Sequence, residues 1–393
     1  MRTFRRTVRS ASLIAILCSP LAAAADPAPT AAPPAPELQP TPSAASAWPD
    51  DPPGSELTAR GRDVRGVYVP YRKVERSKPE ALATWIESLG ADAAIIDVKD
   101  DRGRVTFTRA LPYAKGPMHG GVKDMAAIVR ALHGRGIYAI GRLVCFKDQA
   151  LAFAKPATAL RHRKTDAIWR DRGGLAWVDP HSAIAQEHSA SVARAAEALG
   201  FDEIQLDYIR FPVEPGARHA VFPSRDGAPA RHDVIAGTLA AVDRAIRLPL
   251  SIDVFGLTAY HPGDTDGLGQ SLEHLAPYVD AITPMVYLAN WPRRYWESPD
   301  PATTHALVEG AVREIRERLG DGIAVRPLLQ AFRWRAKLFS HAFIADQIRA
   351  SQEGGSSGYL FWNQGGNYGI VQSTWRRLDA ALYETEENLL ARE

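Results

Sequence analysis

Sulfur is scarce in this chain: 393 residues contain two cysteines, Cys18 and Cys145. Cys18 falls in a leader-like N-terminal stretch, so a processed chain keeps one thiol and forms no intrachain disulfide. Its stability must then come from core burial. Long apolar runs are also lacking. The run from Ala11 to Cys18 is far short of the roughly 20 residues a membrane-spanning helix needs, and no later stretch comes close. Neither sign of charge dominates, with 47 Lys and Arg against 45 Asp and Glu, which argues against a basic nucleic-acid surface. Several catalytic signatures are missing too. None of the 11 histidines forms an H-x-x-x-H pair or ends a strand-like run, and there is no Gly-x-Ser-x-Gly elbow and no Walker-type phosphate loop. Gly134-Arg135-Gly136 precedes a strand, whereas a dinucleotide fingerprint must follow one.

What is present begins with Arg2, Arg5, Arg6 and Arg9, then the apolar run, then the small residues Ala22 to Ala25. This is the pattern of a secretory signal peptide over residues 1–25, cleaved after Ala25, and it implies export to the periplasm or beyond. Leu17 is bulky where a lipoprotein site before Cys18 takes a small residue. Arg5-Arg6 leaves twin-Arg export as a minor option. Removing the four arginines takes the formal charge from +2 to −2. Residues 26–60 read as a disordered Pro/Ala-rich tether, because ten of the 29 prolines fall there with almost no large apolar side chains.

From residue 61 onward the pattern is a repeated β/α alternation. Strands are expected at 66–69, 93–98, 138–144, 203–208, 250–255, 281–286, 325–329 and 358–362. Helices are expected at 79–89, 123–132, 184–199, 233–246, 270–278, 303–319, 341–353 and 372–383. Ser77 and Glu80 suggest a capping box around Pro79. Gly90, Gly200 and Gly320 each follow a Leu at a helix end, as left-handed C-caps do. Runs such as Ala93-Ala94-Ile95-Ile96 are apolar at consecutive positions, the pattern of a parallel sheet covered on both faces. Eight such units predict a (β/α)8 TIM barrel over 61–393. A doubly wound open sheet is the alternative, but Val69-Pro70-Tyr71-Arg72 supplies no glycine-rich turn after the first strand.

In a barrel the C-terminal strand ends converge on one mouth. Here those ends carry Tyr68, Asp97 to Asp101, Arg142, Gln205, Asp207, Tyr208, Arg210, Asp253, Met285, Tyr287, Arg326, Gln330, Trp362 and Asn363. Asp97, Asp207 and Asp253 interrupt apolar runs, which is costly unless they are paired. An ion pair with Arg142, Arg210 or Lys99 would account for any one of them. Three together suggest the two-carboxylate chemistry of glycoside hydrolysis, with one acid and one anion. Tyr68, Tyr208, Tyr287, Trp362 and Trp177 would either stack on sugar rings or plug the mouth. Gln330 and Asn363 could bond sugar hydroxyls. Cys145 reads as a packed thiol, since no histidine is placed to activate it.

The stretches 94–103, 177–180, 200–212, 253–256, 269–270, 284–287, 326–332 and 358–363, including Asp97-Val98-Lys99-Asp100-Asp101 and Gln205-Leu206-Asp207-Tyr208-Ile209-Arg210, resemble the bacterial DUF4015 family of glycosidase-type barrels. The resemblance runs from about residue 65 to 368 and implies an exported TIM-barrel glycosidase without a cofactor. After Pro284-Met285-Val286-Tyr287 the family pattern continues Pro-Ser-His, whereas Leu288-Ala289-Asn290 stands here, so any contact made by that histidine is absent. The expected roles are nucleophile or base for Asp207 and general acid for Asp253. Asp97 and Asp100 are alternatives or sugar ligands, and Arg142 or Arg210 would hold one carboxylate ionised. The expected partner is a cell-envelope or extracellular polysaccharide. Two rival readings are a non-catalytic carbohydrate-binding barrel and a metal-dependent hydrolase built on Asp97 to Asp101.

Overall fold

The computed structural model describes residues 57–390 apart from 108–110, 112–120, 228, 265 and 298, with side chains as far as 381. The expected signal peptide and nearly all of the tether lie outside these residues. The strands are β1 (Arg65–Val69), β2 (Ala93–Lys99), β3 (Tyr138–Val144), β4 (Glu203–Asp207), β5 (Leu250–Phe255), β6 (Ala281–Met285), β7 in two pieces (Ala324–Val325 and Leu328–Gln330) and β8 (Tyr359–Trp362). Each pairs in parallel with the next. β8 pairs in parallel with β1, Phe361 opposite Val67, which closes a barrel and excludes the open sheet. Seven of the eight expected strands lie within about a residue of their expected bounds. The seventh is split at Arg326-Pro327, where proline cannot donate to the ladder.

Helices follow the strands and cover the outside. They include Pro79–Leu89, Met125–His133, Ala183–Glu197, Arg231–Asp243, Pro301–Leu319, His341–Glu353 and Gly369–Leu390. The expected helix at 270–278 is instead a four-residue turn, Leu272–Leu275, followed by a 3-10 turn. The capping box does not form: Lys78 occupies the N-cap of Pro79–Leu89, and no side chain caps it. Gly90 and Gly200 do take positive φ, +89° and +93°. Gly320 also has positive φ, but its ψ of −165° is a glycine-only conformation distinct from the left-handed cap.

Residues 57–60, assigned to the tether by composition, belong to the fold. Leu57 is buried against Ala281 and Ala324, and the Thr58 side chain accepts from the Gly61 N–H to start the short helix Ala59–Arg62. The Arg326 guanidinium donates to the Gly61 carbonyl and adds a polar tie to the same segment.

Every second residue on a barrel strand points inward, and here the interior is layered by chemistry. At the bottom Arg326 forms a fully buried pair with Glu203, and Glu203 also accepts from the Ser251 hydroxyl. Above it Gln205 donates to Thr283, and Ile95, Ile140, Leu328 and Leu360 fill the surrounding space. Arg326, expected near the mouth, therefore sits at the opposite end, two residues before the upper half of β7.

Gly358, just before β8, has φ +135°, and a Cβ there would stand 2.5 Å from the Val64 backbone nitrogen. Gly358→Ala is expected to cost about 2 kcal/mol or more, because both the strain and the clash involve backbone that cannot rotate away. Urea unfolding measures it, and a change of only a few tenths of a kcal/mol would show that the β1–β8 seam is softer than this packing implies.

Candidate active site

The top layer of the interior is built around one guanidinium. Arg142, the fifth residue of β3, is buried between β2 and β4. Its Nη1 donates to Asp97 Oδ1 at 2.6 Å, and its Nε and Nη2 both donate to Asp207 Oδ2, at 3.0 and 2.5 Å. The Tyr68 hydroxyl from β1 donates to the other Asp97 oxygen at 2.7 Å. The second Asp207 oxygen accepts the backbone N–H of Tyr208 at 2.6 Å. Tyr208 takes φ +49°, a left-handed conformation that costs a non-glycine residue about 1–3 kcal/mol. The chain leaves β4 with that bend at the residue whose N–H bonds the carboxylate.

Asp253 on β5 completes the layer in the opposite electrostatic condition. It is 1% exposed, and among the described residues neither of its oxygens has a hydrogen-bond partner. Burial, followed by the charge of Asp207, pushes its carboxyl well above the ordinary range, with Arg142 pulling the other way. The neutral acid is the favoured form. Asp97 is also pushed up by burial, but Arg142 and the Tyr68 hydroxyl draw it back. The Tyr287 ring lies beside Asp253 and Asp207, and burial raises its hydroxyl well above the usual phenol range.

Comparison with known proteins gives the family and the fold. The model of the DUF4015 family, described as "Putative glycosyl hydrolase domain", matches residues 66–368. This chain belongs to the DUF4015 family. No curated protein matches it. Among solved structures it resembles the PgaB (BpsB) glycoside hydrolase domain from Bordetella bronchiseptica, at 14% identity over 80% of this chain and 98% of that one, TM-score 0.59. It also resembles the α-galactosidase TtGalA from Thermus thermophilus, at 16% identity over 83% and 62%, TM-score 0.52. A third is α-L-fucosidase isoenzyme 2 from Paenibacillus thiaminolyticus, at 14% identity over 81% and 49%, TM-score 0.52. At these identities the shared feature is the barrel.

Two clefts open at the mouth of the DUF4015 barrel. One, of about 540 Å³, is lined by Arg142, Asp207, Tyr208, Phe255, Tyr287, Phe332, Trp334 and Trp362. The other, of about 1060 Å³, is lined by Asp97, Asp100, Asp101 and Tyr68 together with Arg72, Arg76 and Arg102. Tyr68 and Trp362 stack at 3.8 Å between them. Asp207 thus faces the first cleft and Asp97 the second, with Arg142 holding both. Asp253 lines neither.

Several expected ligands of the mouth are engaged elsewhere in the DUF4015 barrel. Arg210 pairs with Glu214 and stacks on Trp177, Tyr208 and Phe255, so of the two arginines it is Arg142 that bonds Asp207. Tyr68 offers its face to Trp362 and its hydroxyl to Asp97, leaving no free platform. Trp177 is fully buried and donates to Asp171. Gln205 lies in the layer below. The Gln330 side chain accepts from the Ala289 N–H and donates to the carbonyls of Phe332 and Trp334. Asn363 likewise bonds the backbone of Ala331, Gly365 and Asn367. These two amides shape loops. Asp100 accepts the N–H groups of Arg102 and Arg104 and the Arg104 guanidinium, and each Asp97 oxygen accepts one hydrogen bond, from Arg142 and from Tyr68. Among the described residues Asp97, Asp100 and Asp101 do not form a group spaced to share one ion. Lys99 turns outward to Asp148. Burial pushes the Cys145 thiol up to about 12, which fits a packed thiol.

Sequence reading missed Phe332 and Trp334. Trp334 is 61% exposed on the loop that Gln330 pins, and it presents the largest accessible aromatic side chain at the mouth. Its position four residues past β7 was the available signal, since loops after barrel strands carry site residues.

Proposed function

We propose that this DUF4015 domain is an exported glycoside hydrolase that cleaves O-glycosidic bonds in a cell-envelope or extracellular polysaccharide. The observation that carries the reading is the contrast between neighbouring carboxyls: Asp207 accepts from the Arg142 guanidinium and the Tyr208 N–H, while Asp253 is buried with no hydrogen-bond partner among the described residues and its carboxyl is pushed well above the ordinary range. Two neighbouring carboxyls in such different surroundings suit glycosidic cleavage, in which one releases the leaving group and the other attacks or activates water. Asp253 gives its proton to the leaving oxygen as the C–O bond breaks. Asp207 attacks the anomeric carbon or takes the proton of an attacking water. Both oxygens of Asp253 are sealed from solvent, so a bound sugar must replace the side chains that cover it, which keeps bulk water off the acid until substrate is in place. Trp334 and Trp362 supply flat apolar faces for sugar C–H groups. Export rests on the leader sequence.

The sealed acid also favours a second reading, a barrel that binds glycan without cutting it. Incubating the purified protein and Asp207→Asn with a panel of envelope and extracellular polysaccharides separates the two. New reducing ends from the wild type and none from the variant are the expected result. A glycan that binds tightly yet releases no product on prolonged incubation would establish the binding module instead.

A further inference from the structure

Outside the barrel mouth, the structure brings the adjacent pair His232-Asp233 together with His274 from a later segment. We propose that His232, Asp233 and His274 form a surface site for a zinc-class divalent transition ion. One ligand atom from each lies within 4.8 Å of the others, and among the described residues this is the cluster of His, Cys, Asp and Glu side chains with that spacing. His232 and Asp233 open the helix Arg231–Asp243, and His274 lies in the turn Leu272–Leu275. The two imidazoles face each other with centroids 4.0 Å apart, and His232 Nε2 is 3.5 Å from Asp233 Oδ1.

Surrounding contacts orient the second histidine for this role. Ser271 Oγ is 2.9 Å from His274 Nδ1 and 3.5 Å from Glu273 Oε2, and Glu273 is held by the Arg318 guanidinium at 2.7 and 2.8 Å. A carboxylate–hydroxyl–imidazole chain places the ring proton on Nδ1 and leaves the Nε2 lone pair for an ion, the outer-shell arrangement of ligating histidines. Two imidazoles and one carboxylate suit zinc, nickel or copper, whereas magnesium and calcium demand an oxygen cage. Asp233 and His274 are exposed, so water completes the coordination.

The site also has a structural consequence. Arg231–Asp243 precedes β5, and the turn carrying His274 follows it. Gln270, next to Ser271, accepts the Phe255 N–H and donates to the carbonyls of Asp253 and Ile209. An ion here clamps the chain on both sides of the strand that carries Asp253, and it does so whatever the barrel hydrolyses.

The test uses the full chain without a histidine tag, stripped with chelator and titrated with zinc chloride by calorimetry. One equivalent and a raised unfolding temperature are expected, with no response to magnesium. His232→Ala and His274→Ala each remove that equivalent. Ser271→Ala, which leaves all three ligands, weakens it about 10- to 100-fold. Metal-free unfolding curves matching the wild type confirm that the variants fold. No heat at about 100 µM zinc, or an undiminished equivalent in the doubly substituted protein, overturns the site.

Discussion

Asp253→Asn is expected to reduce turnover by about 10³-fold, within the range that a lost general acid produces, while making the protein more stable at neutral pH. The two effects have one cause. In the folded chain burial and the Asp207 charge raise the Asp253 proton affinity, so between the ordinary carboxylate range and that raised value the native state keeps a proton that the unfolded state has released. In that window stability falls as pH rises. Below it both states are protonated and the penalty vanishes. Asparagine has the same size and no charge, so it removes the penalty at neutral pH and changes little near pH 3, with a gain of about 2 °C per kcal/mol relieved. Melting curves at the two pH values, paired with turnover, check this. A variant that is both inactive and equally destabilised at each pH would point to lost packing rather than to a lost acid. In the wild type the same raised affinity predicts that activity persists above the ordinary carboxylate range and is lost as Asp253 finally ionises.

Arg142→Met is expected to produce the largest loss of stability of any single change in the mouth, about 3–5 kcal/mol at neutral pH. Its guanidinium is the partner of Asp97 through one nitrogen and of Asp207 through two, and methionine leaves both carboxylates buried without a counter-charge. Asp97, already pushed up by burial, then loses the guanidinium that draws it back. The deficit is therefore full at neutral pH and shrinks as pH falls and the carboxyls protonate. Arg142→Lys keeps the charge but cannot span the two carboxylates with a planar fork, so it should fall between wild type and methionine. Denaturant unfolding at neutral pH and near pH 4 distinguishes this from a cavity effect: a deficit that does not change with pH would mean that the ion pairs contribute little.

The strands were legible because a strand buried on both faces must be apolar at consecutive positions, and little else in a sequence looks like that. The bounds of β3 and β5 follow from such runs, and those of the helices Pro79–Leu89 and His341–Glu353 from apolar residues at helical spacing between turns. The split of β7 and the collapse of the helix at 270–278 were harder to read, because both depend on where neighbouring segments pack. At the mouth, Asp97, Asp207 and Asp253 stood out as charges inside apolar runs. Which of them is paired did not, since that depends on side-chain reach across three strands.

By itself, then, the sequence determined the eightfold β/α order, the family, and the presence of costly carboxylates at the strand ends, because periodicity and charge placement are properties of the chain. Only the tertiary structure decided that Arg142 rather than Arg210 bonds Asp97 and Asp207, that Arg326 lies at the floor, that Gln330 and Asn363 brace loops, and that His232 meets His274. Closing the barrel sets strand stagger, and stagger chooses which inward side chains share a layer. A pairing of charges across strands is therefore a fact of register, which no local pattern records.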